Sequence, residues 1–493
     1  MFDVIKRHGS HHFVNVKYGY IVLFAGAIYL ACLFVSNKLF ILNWNTIRTS
    51  KVMRRVLDSH HNVLTLFLWT GFLMILAFWH FDSDSINVYI KRFGRLCYAL
   101  VPLDIFLSLK PSPIPDVYYL ELIFLHKWFS RLIVTIATVH SIGFIAVWIS
   151  KGTMLKFFKP LNFLGFIALL CFLAITVVSL KPLRRRFYKL FFTGHVVLAW
   201  ACVALMQWHA RPGVSLYTLL NISLIILQIA TKFYKSSDVI LEKKTNAGST
   251  LDLITFNNNS VSNFVAGSHI RISYPRLNPL NYLLPSHPFT VASLPDDASI
   301  KLVVRKTTKD FKSGELVSCF GPFTSINNKF FETAETVVLI AGGSGISYAL
   351  GLYQQLKNSN ANAVVVLVWV LRNRADLWIL DHFPLVTSVD VYITGGNITS
   401  DDPVSNAFGD EDEELLDQTG RDSFEMEDLD TTQTKNTKIK LGRPNLELYA
   451  SMFSSKDKNS SWVVSCGTDS LNKDSAKWAS TLDVRYHSES YSL

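Results

Sequence analysis

The chain has 493 residues, too many for one ordinary domain, and 49% of them are hydrophobic. Its mean hydropathy is positive, which places it among membrane proteins that carry sizeable soluble parts. The net charge of +10 is concentrated beside apolar segments, so a lipid bilayer explains it and no nucleic-acid partner is expected. Six cysteines without a repeated close spacing exclude a disulfide framework and a zinc site.

Seven apolar stretches are candidate membrane helices, and they cover residues 18–42, 63–81, 96–109, 118–148, 161–180, 188–209 and 215–233. The first stretch would serve as its own signal. The stretch 96–109 is the weakest, because it is short and contains Pro102 and Asp104. It is either a span or a re-entrant or interfacial segment.

A short basic loop between the fifth and sixth stretches sets the expected topology. It contains Lys181, Arg184, Arg185, Arg186 and Lys189. Because positively charged loops stay in the cytosol, we expect this loop and the C-terminal half to be cytosolic and the N-terminus to lie outside.

From about residue 236 the chain changes to alternating strands with Pro and Gly turns, which predicts a small antiparallel β-barrel. From about residue 335 a strand, a glycine turn, a helix and a second strand predict an α/β nucleotide-binding domain. An acidic insert near 400–438, with eleven acids in 410–430, is expected to be a disordered spacer or a regulatory loop. The predicted boundaries are 1–60 (first helix and basic connector), 61–235 (membrane domain), 236–330 (barrel) and 331–493 (nucleotide domain).

Two histidine pairs with the same spacing lie in two of the apolar stretches: His126 with His140, and His195 with His209. Fourteen residues are close to four helical turns, so both histidines of a pair project from one face, ~21 Å apart. If the two helices are parallel, His126 faces His195 and His140 faces His209. Imidazoles facing each other at two depths could hold two stacked haems, whereas single histidines in a helix are more often core residues.

Three short motifs in the soluble half suggest a dinucleotide site. Gly342-Gly343-Ser344-Gly345 follows a buried-type strand and precedes a helix, a context that favours phosphate binding over a plain structural turn. Arg372, Arg374 and Arg443 could meet the 2′-phosphate of NADPH or be ordinary solvated arginines. Cys466-Gly467 ends a strand, where the thiol could lie beside a nicotinamide or simply be buried.

His287-Pro288-Phe289-Thr290 is a candidate flavin segment. Its proline fixes the local backbone, while an aromatic ring and a hydroxyl can hold a flat ring system and its polar edge.

Taken in this order, these motifs resemble the superfamily of ferric reductases and NADPH oxidases. The segments Lys91-Arg92-Phe93-Gly94-Arg95 and His126-Lys127-Trp128-Phe129-Ser130-Arg131 resemble its membrane core. The resemblance implies a helical membrane domain with two b-type haems on the four histidines, then an FAD barrel and an NADPH domain like those of ferredoxin reductases. It assigns FAD to 287–290, with Tyr491 as the aromatic against the flavin, and NADPH to Gly342, Gly343, Gly345, Cys466 and Gly467.

In its compact size and absence of calcium-binding loops, the chain resembles the short fungal members of this superfamily that are classed as probable metalloreductases. The resemblance therefore implies transfer of electrons from cytosolic NADPH to ferric or cupric chelates across the plasma membrane, rather than that of the endoplasmic reticulum. A superoxide-producing NADPH oxidase, with dioxygen as acceptor, is the alternative. An inactive membrane scaffold is the second alternative, because Thr324 follows Gly-Pro-Phe where the family has glycine, the chain ends at Leu493 rather than tryptophan, and the acidic insert interrupts the nucleotide domain.

Overall fold

The computed structural model describes residues 15–43, 51–80, 86–114, 117, 119–258, 261, 264–306, 310–324, 326, 328–360, 362–395, 436–453 and 458–489. These residues form two compact units. The first comprises residues 1–236 with 277–285, and the second comprises 237–276 with 286–493. Tyr491 and most of the predicted acidic insert lie outside the described residues.

All the long secondary-structure elements of the first unit are helices. Its helices are α1 (Val16–Asn43), α2 (Lys51–Phe78), α3 (Ile86–Leu107), α4 (Tyr119–Ser150), α5 (Pro160–Val178), α6 (Tyr188–His209) and α7 (Ser215–Tyr234). Short helices at Met154–Phe158, Lys181–Arg186 and Leu280–Leu283 accompany them. Within the described residues, five helices are long and apolar enough to cross a membrane, namely α1, α4, α5, α6 and α7, and the apolar part of α2, Val63–Phe78, is shorter. The predicted multi-pass membrane domain is confirmed.

The weakest predicted stretch, 96–109, belongs to a longer helix at the centre of the bundle. α3 has 22 residues, which corresponds to about 33 Å, and it packs against α1, α2, α4 and α7. Its Arg92 donates to the carbonyl oxygens of Leu76, Ala77 and Trp79 at the end of α2, at 3.2, 3.2 and 2.8 Å. Neighbouring helices therefore enclose its polar side chains, which is why α3 does not need an apolar sequence.

The second unit begins with seven short strands in two sheets. They are β1 (Ser236–Ile240), β2 (Glu242–Thr245), β3 (Leu251–Asn257), β4 (His269–Ser273), β5 (His287–Thr290), β6 (Ser299–Arg305) and β7 (Leu316–Phe323). The sheet orders are β1-β7-β4-β5 and β2-β3-β6, and β4 and β3 pair antiparallel with their neighbours. Apolar side chains from both sheets, such as Ile254, Ile270 and Leu302, form one core. The predicted antiparallel barrel is confirmed.

The remaining strands form a six-stranded parallel sheet. They are β8 (Thr336–Gly342), β9 (Val364–Leu371), β10 (Ser388–Ile393), β11 (Asn436–Leu441), β12 (Ser461–Cys466) and β13 (Arg485–Glu489), with helices α8 (Ile346–Ser359) and α9 (Asp469–Leu482) and 3₁₀ segments at Gly343–Gly345, Arg374–His382 and Leu446–Phe453. The order is β11-β10-β9-β8-β12-β13. Strands β9, β10 and β11 thus lie on one side of β8, and β12 and β13 lie on its other side. The winding reverses between β8 and β12, at the position where open α/β sheets bind nucleotides.

The last residues of the predicted insert range, near 400–438, coincide with the start of β11. Residues 436–438 are the start of β11, because they pair in parallel with residues 388–390 of β10. Strand pairing with β10 places these residues in the sheet, and the local composition of a segment does not reveal such pairing.

Candidate functional site

The four histidines of the membrane unit meet in two pairs. His126 and His140 project from α4, and His195 and His209 project from α6. The ring centroids of His126 and His195 are 6.1 Å apart with the ring planes at 73°. Those of His140 and His209 are 6.2 Å apart at 78°. Each histidine thus faces one histidine of the other helix, in the pairing that the spacing predicts for parallel helices.

These separations fit one metal ion between the rings of each pair. With imidazole–metal bonds of about 2 Å, and ring centroids about 1.2 Å beyond each nitrogen, two axial imidazoles have centroids about 6.4 Å apart. Within the described part of the chain, no group of three or more His, Cys, Asp or Glu side chains could hold a metal ion. A pair of ligands suits haem, because the porphyrin supplies the other iron ligands.

Three of the four imidazoles are oriented through Nδ1. The Nδ1 of His140 lies 2.6 Å from the carbonyl oxygen of Ile90, and that of His209 lies 2.7 Å from the carbonyl oxygen of Leu161. The Nδ1 of His126 lies 3.0 Å from the carbonyl oxygen of Asp104. A carbonyl oxygen can accept but not donate a hydrogen bond, so these contacts place the ring proton on Nδ1 and leave the Nε2 lone pair available to a metal.

Two glycines give the second pair its space, Gly94 within the segment that resembles the membrane core of the superfamily and Gly165, which sequence reasoning missed. A Cβ on Gly94 of α3 would lie 2.7 Å from Cε1 of His140, and a Cβ on Gly165 of α5 would overlap the imidazole of His209. α3 packs against α4, and α5 packs against α6. Each helix that carries histidines therefore has a neighbour that supplies both a carbonyl oxygen and a glycine. In the sequence, these residues are glycines in or beside predicted helices, and such glycines are too common to indicate a site.

The glycine turn and the Cys466-Gly467 segment come together at the carboxyl edge of the parallel sheet. β8 and β12 are adjacent and in register from Thr336 with Ser461 to Ala341 with Cys466. A Cβ on Gly342 would lie 3.4 Å from Cα of Gly467, and a Cβ on Gly345 would overlap the carbonyl oxygen of Cys466. Gly343 has a φ of +52°, and a Cβ on it would meet no atom of the described residues within 4 Å, so the turn leaves room for a ligand on this side.

Two helices begin at this same edge. α8 starts directly after the glycine turn, and α9 starts after Thr468, whose side chain accepts from the backbone N–H of Leu471. Helix N-termini present free N–H groups to anions, so this edge suits the pyrophosphate of a dinucleotide. The Cys466 thiol itself is buried beneath Gly345.

The structure does not bring the predicted arginines equally close to the glycine turn. Arg372 directly follows β9, the neighbour of β8, and its side chain is exposed. Arg374 begins the 3₁₀ segment that follows and is also exposed. Arg443 follows β11, which is three strands away from β8, or about 14 Å along the sheet. Arg372 is therefore the better placed of these residues.

The candidate flavin segment forms β5 at the edge of one barrel sheet. Phe289 is buried in the barrel core, with its ring 5.4 Å from that of Phe311, whereas His287 and Pro288 are half-buried. The carbonyl oxygen of Thr290 accepts from Oγ of Ser347 at 2.7 Å, two residues after the glycine turn. The candidate flavin segment and the candidate nucleotide turn are therefore neighbours.

Arg271 of β4 is a further polar residue beside this segment that sequence reasoning missed. It is 2% exposed, and it donates to Oγ and the carbonyl oxygen of Ser286 at 2.8 and 2.6 Å. Thr324, which departs from the pattern of the superfamily, has a local role: its hydroxyl is 3.1 Å from that of Ser268. A hydrogen bond to Ser268 within the barrel is thus a local role for Thr324.

Comparison with known proteins bears on all three parts of the chain. The model of a ferric reductase like transmembrane component matches residues 93–206, that of an FAD-binding domain matches 238–343, and that of a ferric reductase NAD binding domain matches 334–480. A probable metalloreductase AIM14 of Debaryomyces hansenii is 33% identical, with 99% of this chain and 98% of that protein covered. Its counterpart in Scheffersomyces stipitis is 35% identical, with 99% and 97% covered. The chain belongs to this family of probable metalloreductases.

Membership makes the chain an NAD(P)H-dependent oxidoreductase of the membrane, with FAD- and NAD-binding domains, as predicted from the order of its motifs. Among solved structures, a ferredoxin NADP+ reductase from Neisseria gonorrhoeae is similar with a TM-score of 0.37 and 11% identity. That similarity covers 52% of this chain and 98% of the other.

Proposed function

We propose that the protein is a transmembrane metalloreductase of the plasma membrane. It takes electrons from cytosolic NADPH and delivers them to ferric or cupric chelates on the opposite face, using FAD and two b-type haems. NADPH releases two electrons and a proton as it becomes NADP+, and each metal ion accepts one electron, so one NADPH reduces two ferric ions.

The observation that carries the proposal is the pairing of the histidines. His126 with His195 and His140 with His209 stand at separations that fit one iron between each pair of rings. When bound, FAD would exchange electron pairs for single electrons, and the haems would carry single electrons. If two histidines hold each haem, no position at the iron is left for the metal chelate, so the chelate would be reduced by outer-sphere transfer.

The soluble residues would hold the other two cofactors. Gly342, Gly343, Ser344 and Gly345, with Cys466 and Gly467, form the edge that would bind the pyrophosphate and nicotinamide of NADPH, and Arg372 would reach the 2′-phosphate. His287, Pro288 and Thr290 would line the FAD site, with Tyr491 as the proposed aromatic partner and Arg443 as a second candidate for NADPH.

Chain connectivity supports the proposed direction. α7 ends at Tyr234 and continues directly into β1, so the chain leaves the helical unit at that end. The segment 277–285 packs at the same end, where Oγ1 of Thr193 donates to the carbonyl oxygen of Leu283 at 3.1 Å and Lys232 donates to that of Asn281. Thr193 is two residues from His195, so the His126–His195 pair is the one nearer to this end, which we assign to the cytosol.

The deciding experiment is a reduced minus oxidised absorption spectrum of the detergent-purified protein, with dithionite and then NADPH as reductant. We expect a b-type spectrum with both reductants, and roughly half of it in His140→Ala or His209→Ala. A flat spectrum would overturn the proposal in favour of an inactive scaffold.

The acceptor is tested in intact cells with a ferric chelate that does not cross the membrane. We expect reduction that superoxide dismutase does not inhibit. Full inhibition by superoxide dismutase would identify a superoxide-producing oxidase instead. Absence of reduction by intact cells, with reduction by isolated internal membranes, would argue against the plasma membrane.

A further inference from the structure

A carboxylate, that of Asp104, lies beside a histidine of the first pair. We propose that Asp104 makes the His126–His195 site the lower-potential of the two haem sites, so that the electron passes from there to the His140–His209 site. This inference rests on the proposed function. It adds a positioning residue, Asp104, that contacts a haem ligand and orders the two sites energetically.

The geometry at His126 carries the inference. Its Nδ1 lies 3.0 Å from the carbonyl oxygen of Asp104 and also 3.0 Å from Oδ1 of the Asp104 carboxylate. His140 and His209 contact the carbonyl oxygens of Ile90 and Leu161. No carboxylate lies at either of them among the residues that the structure describes. The four ligands thus have unequal surroundings.

Asp104 is buried, and a hydrogen bond fixes the position of its carboxylate. It is 9% exposed within α3, at the centre of the bundle. Its Oδ2 accepts from Oγ of Ser130 at 2.8 Å, and Ser130 lies one turn beyond His126 on α4. A carboxylate inside a membrane domain is costly unless it has partners and a use. Ser130 donates to one carboxylate oxygen, the other lies beside Nδ1 of His126, and the use of this charge is to set the ligand strength of His126.

The physical effect has a definite sign. A carboxylate oxygen 3.0 Å from Nδ1 polarises the imidazole more than a neutral carbonyl alone, which makes Nε2 a stronger electron donor, and its negative charge favours the oxidised, more positive iron. Both effects lower the reduction potential of the site that His126 serves. The electron therefore moves spontaneously toward the His140–His209 pair, away from the end of the bundle where α7 leads into β1.

The test is a redox titration of the b-type absorbance in the purified full-length protein. The wild type should show two components of different potential. Asp104→Asn, which keeps the size of the side chain, should raise the lower component by a tenfold change in the equilibrium constant between the sites. For one electron this is about 59 mV. The higher component should not move. Asp310→Asn is the matched control, because that carboxylate is exposed in the barrel unit and should move neither component.

Two further variants identify the site and the cause. In a His140→Ala background only the His126–His195 haem should remain, and Asp104→Asn should shift that remaining component upward. Ser130→Ala removes a donor that shares the charge of the carboxylate, so it should shift the lower component in the opposite direction. A merely structural disturbance would not produce opposite signs in two contacting residues.

The outcomes separate this inference from the proposed function. A wild-type protein without b-type absorbance overturns the proposed function itself. Two haem components that are both unmoved by Asp104→Asn, or a shift confined to the higher one, overturn the role of Asp104. If Asp104→Asn loses one haem, Ser130→Ala decides: a downward shift of the lower component supports the role, and no shift refutes it.

Discussion

The α-carbon of Gly165 lies directly against the imidazole of His209, so that even a methyl group at residue 165 would overlap the ring. The Nδ1 of His209 also contacts the carbonyl oxygen of Leu161, which lies one turn before Gly165 on α5. α5 thus fixes this imidazole from two positions. Gly94 and Ile90 of α3 contact His140 in the same way. The His140–His209 pair is therefore built by four helices rather than two.

Replacing either glycine should disturb the site that it borders. Gly165→Ala or Gly94→Ala must displace a histidine ring, so we expect loss of about half of the b-type absorbance. Gly194→Ala is the matched control, since a Cβ there would meet no atom of the described residues within 4 Å although the residue adjoins His195. An alanine at 165 that leaves the full haem content and spectrum intact would show that this pair does not hold a haem.

Gly345 in the glycine turn of the nucleotide domain should be needed for NADPH binding. A Cβ on Gly345 overlaps the backbone of Cys466, which cannot move without shifting β12. Gly345→Ala should therefore raise the KM for NADPH at least tenfold, a loss of about 1.4 kcal/mol. Reduction by dithionite and the haem content should not change. Gly71→Ala, in open space on α2, serves as control. An unchanged KM would place the NADPH site elsewhere.

Asp376 joins the 3₁₀ segment of the nucleotide domain to the barrel, and its loss should weaken the whole second unit. Its buried carboxylate accepts from Oγ of Ser249 at 2.7 Å and from the N–H and hydroxyl of Thr250 at 2.7 and 2.8 Å. Asp376→Asn should lower the free energy of unfolding by about 2 kcal/mol, because hydrogen bonds to a charged acceptor are lost.

That loss corresponds to a fall of roughly 4 to 8 °C in the unfolding temperature of a domain of this size. The measurement is thermal unfolding of the soluble unit in the purified protein. Asp310→Asn is again the matched control: the partner of Asp310 is Lys243, its side chain is 79% exposed, and its pKa is lowered chiefly by the hydrogen bond from that lysine. It should leave the unfolding temperature unchanged. Equal effects of the two variants would contradict a joining role for Asp376.

His487 of β13 should make the nucleotide domain sensitive to acid. Burial lowers the pKa of its imidazole from the ordinary value of 6.5, and its Nε2 has no hydrogen-bond partner among the described residues. The folded state therefore prefers the neutral ring. This contribution to stability is fully present above pH 6.5 and is lost as the pH falls through the lowered folded pKa.

We expect the soluble unit to unfold at a lower temperature at pH 5 than at pH 7. His487→Phe should reduce that difference, since phenylalanine cannot take up a proton. The comparison requires thermal unfolding of both proteins at both pH values. The same difference in the variant as in the wild type would exclude His487 as the cause.

Several features could be predicted from the sequence because they depend on local periodicity. The fourteen-residue spacing of the histidines decides that both members of a pair share a helix face, whatever surrounds the helix. A strand, a glycine turn and a helix likewise specify one another over a few residues, which is why Gly342–Gly345 could be read as a phosphate-type turn. The order of membrane helices, barrel and α/β domain follows from such patterns, and the family comparisons confirm it.

Other features depend on which elements pack together, and no local pattern contains that information. Phe289 turns into the barrel core because β5 pairs with β4 in one register, and a shift of one residue would reverse every side chain of the strand. The central position of α3 in the bundle was also not predicted, because the stretch 96–109 is short and contains Pro102 and Asp104, which suggested a re-entrant or interfacial segment. In the bundle, other helices satisfy its polar groups, and so a polar sequence can be central.

By itself, the sequence determined the kind of protein, the histidine pairs and the positions of its glycine and cysteine motifs, since each depends on residues close together in the chain. Only the tertiary structure decided which pair has a carboxylate behind it, which glycines make room for the imidazoles, and that Cys466-Gly467 meets the glycine turn. The physical reason is that these contacts join residues on different helices and strands, whose approach is set by packing of whole elements rather than by any spacing along the chain.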